Sequence, residues 1–330
     1  MENGAPVHTP VMTAEVLEFL APSPGKTFLD ATAGAGQHAS AILKKIAPGG
    51  QMVLTERDSD MLELARSNLK SQDVSEESWQ LFRMSYLEMD EAARMAGLSE
   101  EGFDGIFFDL GIASPHVDIP ERGFSFQKEG PLDFRFDRNQ SLTGEEVVNS
   151  LPEKDLKRIF REYGDERFAG AIARKICRQR QKKRITTTTE LADIVKYAIP
   201  PRFRHGKKDP STRIFQSLRI FINDEINILE DSLPKALRLL KSNGRCVVLS
   251  YHSGEDRIVK NCFRDAARRK RKNPEFELLT KKPVRPSREE TRENPRARSA
   301  RLRCIRRIRP HNPEDDMPEN KGLFPGEDLI

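Results

Sequence analysis

Cysteine is scarce in this sequence, and its spacing argues against a disulfide framework or a zinc site. The 330 residues include four cysteines, none of them in a C-x-x-C pair. Histidine, cysteine and carboxylate residues do not recur at metal-ligand spacing elsewhere in the chain. We therefore expect no metal ion and a reducing compartment.

Long apolar runs and a targeting segment are also missing. The sequence has no run of about 18 apolar residues, the length that a membrane-spanning helix needs. The first six residues, Met1 to Pro6, lack the charged and apolar regions of a signal peptide. These absences predict a cytoplasmic protein without a membrane span.

Positive charge is concentrated in two stretches, although the net charge is only +5. Residues 174–208 contain twelve lysines and arginines against two acids, and residues 257–308 contain nineteen against six. Such segregation is typical of a face that binds a polyanion, because each phosphate contact releases counterions. The pattern favours a nucleic-acid partner over basic helices that merely face water.

The first third of the chain alternates between short apolar runs and helical patterns. Strands are predicted at 27–30, 52–55, 80–83 and 103–110, and helices at 38–46 and 58–69. Strands that alternate with helices indicate a parallel, doubly wound α/β sheet.

The middle of the chain predicts a helical insertion into that sheet. From 115 to about 210 the pattern shows loops and helices, at 153–162, 167–179 and 190–197, without a convincing strand. One long amphipathic helix from Phe215 to Leu237, a strand at 246–250 and an antiparallel pair at 276–279 and 302–308 follow. We therefore expect an α/β domain made of residues 1–114 and 216–310, an inserted helical domain at 115–215, and a disordered tail at 311–330.

Two glycines follow the first predicted strand, where it turns into a helix. Gly34 and Gly36 lie in the segment from Asp30 to His38, where glycine lets the backbone approach a ligand and a helix N-terminus offers free amides. Glu56 closes the second strand, twenty residues after Gly36, and a carboxylate there can bind two ribose hydroxyls. These residues predict a site for a nucleotide-type cofactor, with a glycine turn that binds nothing as the alternative.

The same glycines also fit the fingerprint of a nicotinamide dehydrogenase, Gly34-x-Gly36-x-x-Ala39 followed by an acid. Asp30, at the end of the first strand, favours a different cofactor. Its carboxylate would repel a pyrophosphate but attract the ammonium and sulfonium groups of S-adenosylmethionine. We therefore predict a Rossmann-like, S-adenosylmethionine-dependent methyltransferase, and a dehydrogenase stays the alternative from another class.

Asp109 ends the fourth predicted strand, and the carboxyl ends of parallel strands are where such sheets bind ligands. In a methyltransferase this strand end lies beside the transferable methyl group. Asp109 is therefore the predicted catalytic residue, which would accept a hydrogen of the target amine. Holding the cofactor, or capping a helix, are the other roles open to it.

Eight motifs follow one another along the chain: HTPVM at 8–12, DATAGAGQH at 30–38, DLGIASP at 109–115, RGFSF at 122–126, PLDFRFD at 131–137, PSTRIFQSLRI at 210–220, SYHSGEDR at 250–257 and NPRARSA at 294–300. In this order they resemble the MraW/RsmH family of bacterial small-subunit ribosomal RNA cytosine-N4 methyltransferases. The resemblance spans roughly residues 7–308 and implies a class I methyltransferase fold.

The resemblance also implies which residues bind the cofactor. The family's binding positions fall on Gly36, Gln37, His38, Glu56, Tyr86, Asp109 and His116. Glu56 stands where Asp is usual and Tyr86 where Phe is usual, and both can do the same jobs. Gln37 and His116 replace the family's glycine and glutamine, so their contacts depart from its pattern.

The target follows from the resemblance as well. Family members methylate a cytidine near the decoding centre of 16S rRNA in a largely assembled small subunit, so we expect that partner and an insertion that recognises the substrate. A methyltransferase of another RNA or DNA stays an alternative. So does an inactive RNA-binding assembly factor, which would have lost Asp109 or the glycine loop. His252, after the strand at 246–250, is a structural or a substrate-positioning histidine.

Overall fold

A seven-stranded sheet forms the centre of the computed structural model, which describes residues 10–98, 102–204, 209–269 and 274–309. The strands are β1 (Thr27–Asp30), β2 (Gln51–Glu56), β3 (Trp79–Arg83), β4 (Phe103–Asp109), β5 (Leu240–Ser250), β6 (Phe276–Leu278) and β7 (Arg301–Arg307). Their order is β3-β2-β1-β4-β5-β7-β6. Neighbours from β3 to β5 pair in parallel, and β7 pairs antiparallel with β5 and β6. The predicted Rossmann-like sheet with its final antiparallel pair is confirmed.

Helices cover the sheet and build the insertion. Those before the insertion are α1 (Thr13–Leu20), α2 (Gln37–Ile46), α3 (Ser59–Lys70), α4 (Met89–Met95) and α5 (Ser114–Asp118). The next are α6 (Gly144–Ser150), α7 (Glu153–Glu162), α8 (Ala169–Arg180), α9 (Thr188–Ala198) and α10 (Ser211–Ile222). The last are α11 (Glu225–Arg238), α12 (Ser253–Arg268) and α13 (Arg288–Glu293). Within the described ranges, none of these helices is long and apolar enough to cross a membrane.

Successive side chains of the strands supply apolar cores on both faces of the sheet, as the alternation of a strand requires. Phe28 of β1 packs with α1 and α2 on one face, whereas Leu29 packs with α4 and α11 on the other. Burial on both faces explains why these strands are continuous apolar runs in the sequence. The helices α6 to α10 form a third core of their own, around Phe160 and Ile172.

The prediction of one long helix from Phe215 to Leu237 is wrong. The segment forms two helices, because Asn223 and Asp224 interrupt it and Asp224 adopts a left-handed conformation with φ 51°. The side chain of Asn223 accepts from the amide of Phe136 and donates to the carbonyls of Phe134 and Arg219. The break therefore anchors the loop that carries Phe134 and Phe136.

The expected domain boundary at 215/216 falls inside α10. Ile214, Phe215, Leu218 and Ile222 of this helix all pack in the core of the helical insertion, whereas α11 packs on the sheet. The division into residues 1–114 with 216–310 and an insertion at 115–215 stays a prediction. The expected disordered tail at 311–330 lies outside the described residues.

Candidate active site

A large cleft opens at the carboxyl ends of the parallel strands. It is lined by the segments that follow β1, β2, β4 and β5, and by residues 162–165 and 212–213 of the insertion. Its volume of about 2270 Å³ exceeds the roughly 300–1,000 Å³ of a typical small-molecule pocket. The cleft therefore has room for a cofactor and for part of a second, larger substrate.

The glycine segment after β1 forms one wall of this cleft. Gly34 and Gly36 have φ values of 53° and 79°, a region that side chains with a β-carbon rarely adopt. A β-carbon on Gly36 would lie 3.3 Å from both the carbonyl oxygen of Ala65 and Cγ of Leu69. Gln37 and His38 then start α2 and also line the cleft. The turn thus presents bare backbone and a helix N-terminus to a ligand.

Glu56, the last residue of β2, holds this turn through its carboxylate. Its Oε2 accepts the amide hydrogen of Gly34 at 2.9 Å, and its Oε1 accepts that of Asp58 at 2.9 Å. Each carboxylate oxygen has a second lone pair, so Glu56 can still accept two hydroxyl hydrogens from the cleft. Burial raises the pKa of Glu56 to about 7 although both backbone bonds lower it.

Asp30, at the end of β1, carries an unsatisfied buried oxygen behind the glycine turn. Its Oδ1 accepts from the amide of Thr32 at 3.0 Å, whereas its Oδ2 has no hydrogen-bond partner among the described residues. The residue is only 1% exposed, and burial raises its pKa to about 6. A buried carboxylate with a free oxygen is a fitting neighbour for a cation in the cleft.

Asp109, the last residue of β4, is held from both sides. The hydroxyl of Tyr251 donates to its Oδ1 at 2.7 Å, and Nδ1 of His38 lies 3.4 Å from its Oδ2. The other ring nitrogen of His38 lies 2.9 Å from the carbonyl oxygen of Val11, which can only accept. Burial lowers the pKa of His38, but the hydrogen bond and charge of Asp109 outweigh it and raise this pKa overall. The carboxylate of Asp109 is therefore oriented at the cleft wall, with 26% of its side chain exposed.

Tyr86 and His116 line the same cleft but differ in what they can offer. Tyr86 contacts Phe108 edge-to-face at 5.6 Å, and burial raises the pKa of its hydroxyl. His116 has both ring nitrogens engaged: Nδ1 accepts from the amide of Ala113 at 3.0 Å and Nε2 lies 2.8 Å from Asp58 Oδ2. Because no ring nitrogen is left over, a contact of His116 with the cofactor would have to be an apolar one.

The predicted site residues thus come together, but three groups around them were not singled out by the sequence. Tyr251 binds Asp109, and Arg219 forms a buried pair with Glu225 at the cleft wall. Arg122, 1% exposed, binds Asp58 at the start of α3. Each lies in or beside one of the eight motifs, which is the signal that could have found them. His252 caps α12: its Nδ1 accepts from the amides of residues 254 and 255.

Among the described residues, only the second of the two basic stretches borders the cleft. Arg257, Arg285 and Arg298 of the second stretch line it, are exposed, and form no ion pair within the described ranges. In the first stretch, the ion pairs are with acids of the insertion, Arg174 with Glu153, Lys183 with Glu190 and Arg184 with Glu145. Lys207 and Lys208 of the first stretch and residues 270–272 of the second lie outside the described residues.

Comparison with known proteins matches this chain along nearly its whole length. The model of the MraW methylase family matches residues 5–308. Ribosomal RNA small subunit methyltransferase H of Halothermothrix orenii is 41% identical over 312 residues, which cover 91% of this chain and 98% of the relative. The protein of the same name from Sulfurihydrogenibium sp. is 44% identical over 302 residues, with 91% and 99% covered. The one from Thermobifida fusca is 43% identical over 321 residues, with 92% and 94% covered. The predicted S-adenosylmethionine-dependent methyltransferase is thereby confirmed over a dehydrogenase, and the chain belongs to the MraW methylase family.

Proposed function

We propose that the protein methylates the N4 amine of a cytidine in small-subunit rRNA, near the decoding centre, in the cytoplasm. The observation that carries this proposal is the cleft, which the glycine turn, Glu56 and Asp109 line together at the strand ends. The relatives named as small-subunit rRNA methyltransferases support the choice of RNA. The arginines on the cleft rim support a polyanionic substrate.

The chain's residues fit S-adenosylmethionine, which supplies a methyl group already activated by its sulfonium. Glu56 would accept the two ribose hydroxyls, and the backbone of Gly36, Gln37 and His38 would line the methionine part. The free oxygen of Asp30 places a negative charge behind the glycine turn, where a sulfonium or ammonium is stabilised. Tyr86 would pack against the adenine, and His116 would support this wall through Asp58.

Asp109 is the residue that we assign to the reaction. The lone pair of a cytosine amine is delocalised into the ring, so the amine is a poor nucleophile. An acceptor for one amine hydrogen localises that lone pair as the new bond forms, and in-line placement supplies the rest of the rate. The hydrogen bonds from Tyr251 and His38 orient Asp109 for this task. The base has to leave any stack to reach the cleft.

Mapping methylated cytidines in ribosomes from cells with and without this protein tests the proposed function. The expected result is one N4-methylated cytidine of small-subunit rRNA that disappears without the protein and returns with the purified enzyme on isolated subunits. If the mark that disappears lies in another RNA or in DNA, the protein is instead a methyltransferase of that nucleic acid, the alternative that the sequence left open.

Binding of S-adenosylmethionine is expected to tighten as the pH rises through 7. Burial raises the pKa of Glu56 to about 7, so its carboxylate is largely protonated below that pH and loses acceptor capacity for the ribose hydroxyls. The dissociation constant should therefore rise by up to about tenfold for each pH unit below 7. Calorimetry between pH 5.5 and 8 measures it, and Glu56→Gln is the control that should remove the inflection near 7. An inflection that survives in Glu56→Gln would assign it to another group.

Neutralising three exposed arginines of the cleft is expected to weaken binding to the small subunit and to flatten its salt dependence. In the variant Arg257→Gln, Arg285→Gln, Arg298→Gln, each lost phosphate contact should reduce the slope of log K against log salt by about 0.7–0.9. Filter binding measures the slope between 50 and 300 mM salt, because phosphate contacts dominate binding in this range of salt concentration.

The matched control for that experiment replaces Arg66, Lys70 and Arg94, which are ion paired with neighbouring acids outside the cleft. This control should leave the slope unchanged, and both variants should bind S-adenosylmethionine like the wild type. Equal slopes for the cleft variant and the wild type would mean that the cleft arginines are only solvated charges.

A further inference from the structure

Arg219, in α10, brings a buried guanidinium to the wall of the cleft. The residue is 8% exposed and lines the cleft. Its Nε and Nη2 donate to the two carboxylate oxygens of Glu225 at 2.8 and 2.9 Å. A two-point pair of this kind fixes the plane of the guanidinium as well as its position.

The third nitrogen of Arg219, Nη1, is left available to a ligand, because within the described ranges it makes no hydrogen bond to the protein. A β-carbon built on Gly111 would lie 4.0 Å from this Nη1 and 3.5 Å from Cδ2 of Tyr251. Gly111 follows Asp109 by two residues, and the hydroxyl of the same Tyr251 binds Asp109. Arg219 Nη1 and the Asp109 carboxylate therefore both lie beside the segment from Asp109 to Gly111, which lines the cleft.

The charges around Arg219 keep this donor in place without a substrate. Glu255 Oε1 lies 3.9 Å from the same Nη2 that donates to Glu225, so the guanidinium has two carboxylate neighbours. Glu255 is itself held, because its Oε2 accepts the amide hydrogens of Tyr251 and His252. The arginine is thus preorganised, and a ligand that binds Nη1 does not have to break an existing bond.

We propose that Arg219 Nη1 donates a hydrogen bond to the ring nitrogen N3 of the target cytosine while Asp109 accepts a hydrogen from its N4 amine. This inference rests on the proposed function. N3 is the neighbour of the N4 amine on the pairing edge of the base, and it is an acceptor in cytosine but carries a hydrogen in uracil. The fixed donor Arg219 and the fixed acceptor Asp109 therefore match the pairing edge of cytosine. With uracil, the N3–H group would face the N–H group of Arg219, so two donors would oppose each other. Arg219 is in this way a specificity-determining residue.

Nucleotide binding to the full chain saturated with S-adenosylhomocysteine tests the inference. The probes are cytidine monophosphate, its 3-deaza analogue, which replaces N3 by a carbon, and uridine monophosphate, each titrated by NMR. The wild type should bind cytidine monophosphate about tenfold or more tightly than either other probe, the factor expected for one hydrogen bond with a charged donor. Arg219→Lys keeps a positive charge beside Glu225 and Glu255 but loses the planar donor, and it should bind the three probes within about threefold of one another.

Several results would overturn the inference. The first is a wild type that binds the 3-deaza analogue and cytidine monophosphate with equal affinity. This result needs no variant, so it does not depend on whether Arg219→Lys folds. The inference is also wrong if Arg219→Lys keeps the wild-type preference for cytidine monophosphate, or if it loses S-adenosylhomocysteine instead of that preference. Glu225→Gln, which keeps the arginine but weakens its anchor, should show an intermediate preference. The proposed function fails separately, namely if the wild-type enzyme leaves small subunits unmethylated.

Discussion

Asp109→Ala is expected to slow methyl transfer by about 10²- to 10⁴-fold at saturating S-adenosylmethionine, the range that a positioned proton acceptor contributes. Its carboxylate is the acceptor that the hydroxyl of Tyr251 and the ring of His38 aim into the cleft. Single-turnover methylation of small subunits measures the rate, and calorimetry measures the cofactor. The dissociation constant of S-adenosylmethionine should stay within about threefold of the wild type, because this bond forms with the base and not with the ribose.

Two variants separate this role from its alternatives. Asp109→Asn keeps one acceptor oxygen and should retain more of the rate than Asp109→Ala. Tyr251→Phe removes only the hydroxyl that orients the carboxylate and should slow the reaction by about tenfold, the value of one hydrogen bond to a charged group. If instead the cofactor dissociates from Asp109→Ala while the rate at saturation survives, Asp109 holds the cofactor and the catalytic assignment is wrong.

The central sheet could be predicted from the sequence because its signals are local. Phe28 and Leu29 supply opposite faces of one strand, and both faces are buried. The strand is therefore a continuous apolar run, which can be identified in the sequence without knowing its neighbouring strands. Gly34, Gly36 and Glu56 could be predicted for a similar reason. The turn after β1 and the end of β2 are neighbours wherever the two strands pair in parallel, as they do here.

The break between α10 and α11 could not be predicted, because its cause is distant in the chain. Asn223 ends the helix by binding backbone groups of Phe134 and Phe136, about ninety residues earlier. The apolar spacing continues across the break without interruption. Periodicity alone therefore predicts a single helix, and only the tertiary hydrogen bonds of one asparagine overrule it.

The roles of charged residues were the least predictable part of the site. Both basic stretches have a large excess of lysine and arginine over acids, yet among the described residues arginines of only the second one border the cleft. Arg219 and Arg122 are both buried, and a sequence shows no difference between them and a solvated arginine. Which acid faces each of them is decided by the packing of the insertion on the sheet.

Arg122 joins that insertion to the sheet through a buried ion pair. It binds both carboxylate oxygens of Asp58, which lies just before α3, and Oδ2 of Asp60 at 2.8 Å. It also donates to the carbonyls of Arg135 and Phe136 at 2.9 and 3.3 Å. Burial alone would raise the pKa of Asp58, but His116 and Arg122 hold it well below its usual range.

Arg122→Met is expected to lower the free energy of unfolding by about 3–5 kcal/mol at pH 7, because it leaves the charge of Asp58 buried with one partner fewer. The matched control is Arg83→Met. Arg83 also joins the sheet to the loop that carries Phe134 and Phe136, through Asp137 at 3.1 Å. The side chains of this pair are, however, 45% and 39% exposed. An exposed pair contributes about 0–1 kcal/mol, so urea denaturation should separate the two variants clearly.

The pH dependence of the difference in unfolding free energy between the wild type and Arg122→Met identifies Asp58 as the cause. The pKa of Asp58 is lowered on folding, so its pairing stabilises the wild type above the unfolded pKa of about 4, and the stabilisation is lost progressively as the pH falls below it. The gap between the wild type and Arg122→Met should therefore be widest near pH 7 and narrow towards pH 3. A gap that is independent of pH, or an Arg122→Met no less stable than Arg83→Met, would show that the side chain only fills space. Because Glu56 Oε1 accepts the amide hydrogen of Asp58, Arg122→Met should in addition weaken S-adenosylmethionine binding, whereas Arg83→Met should not.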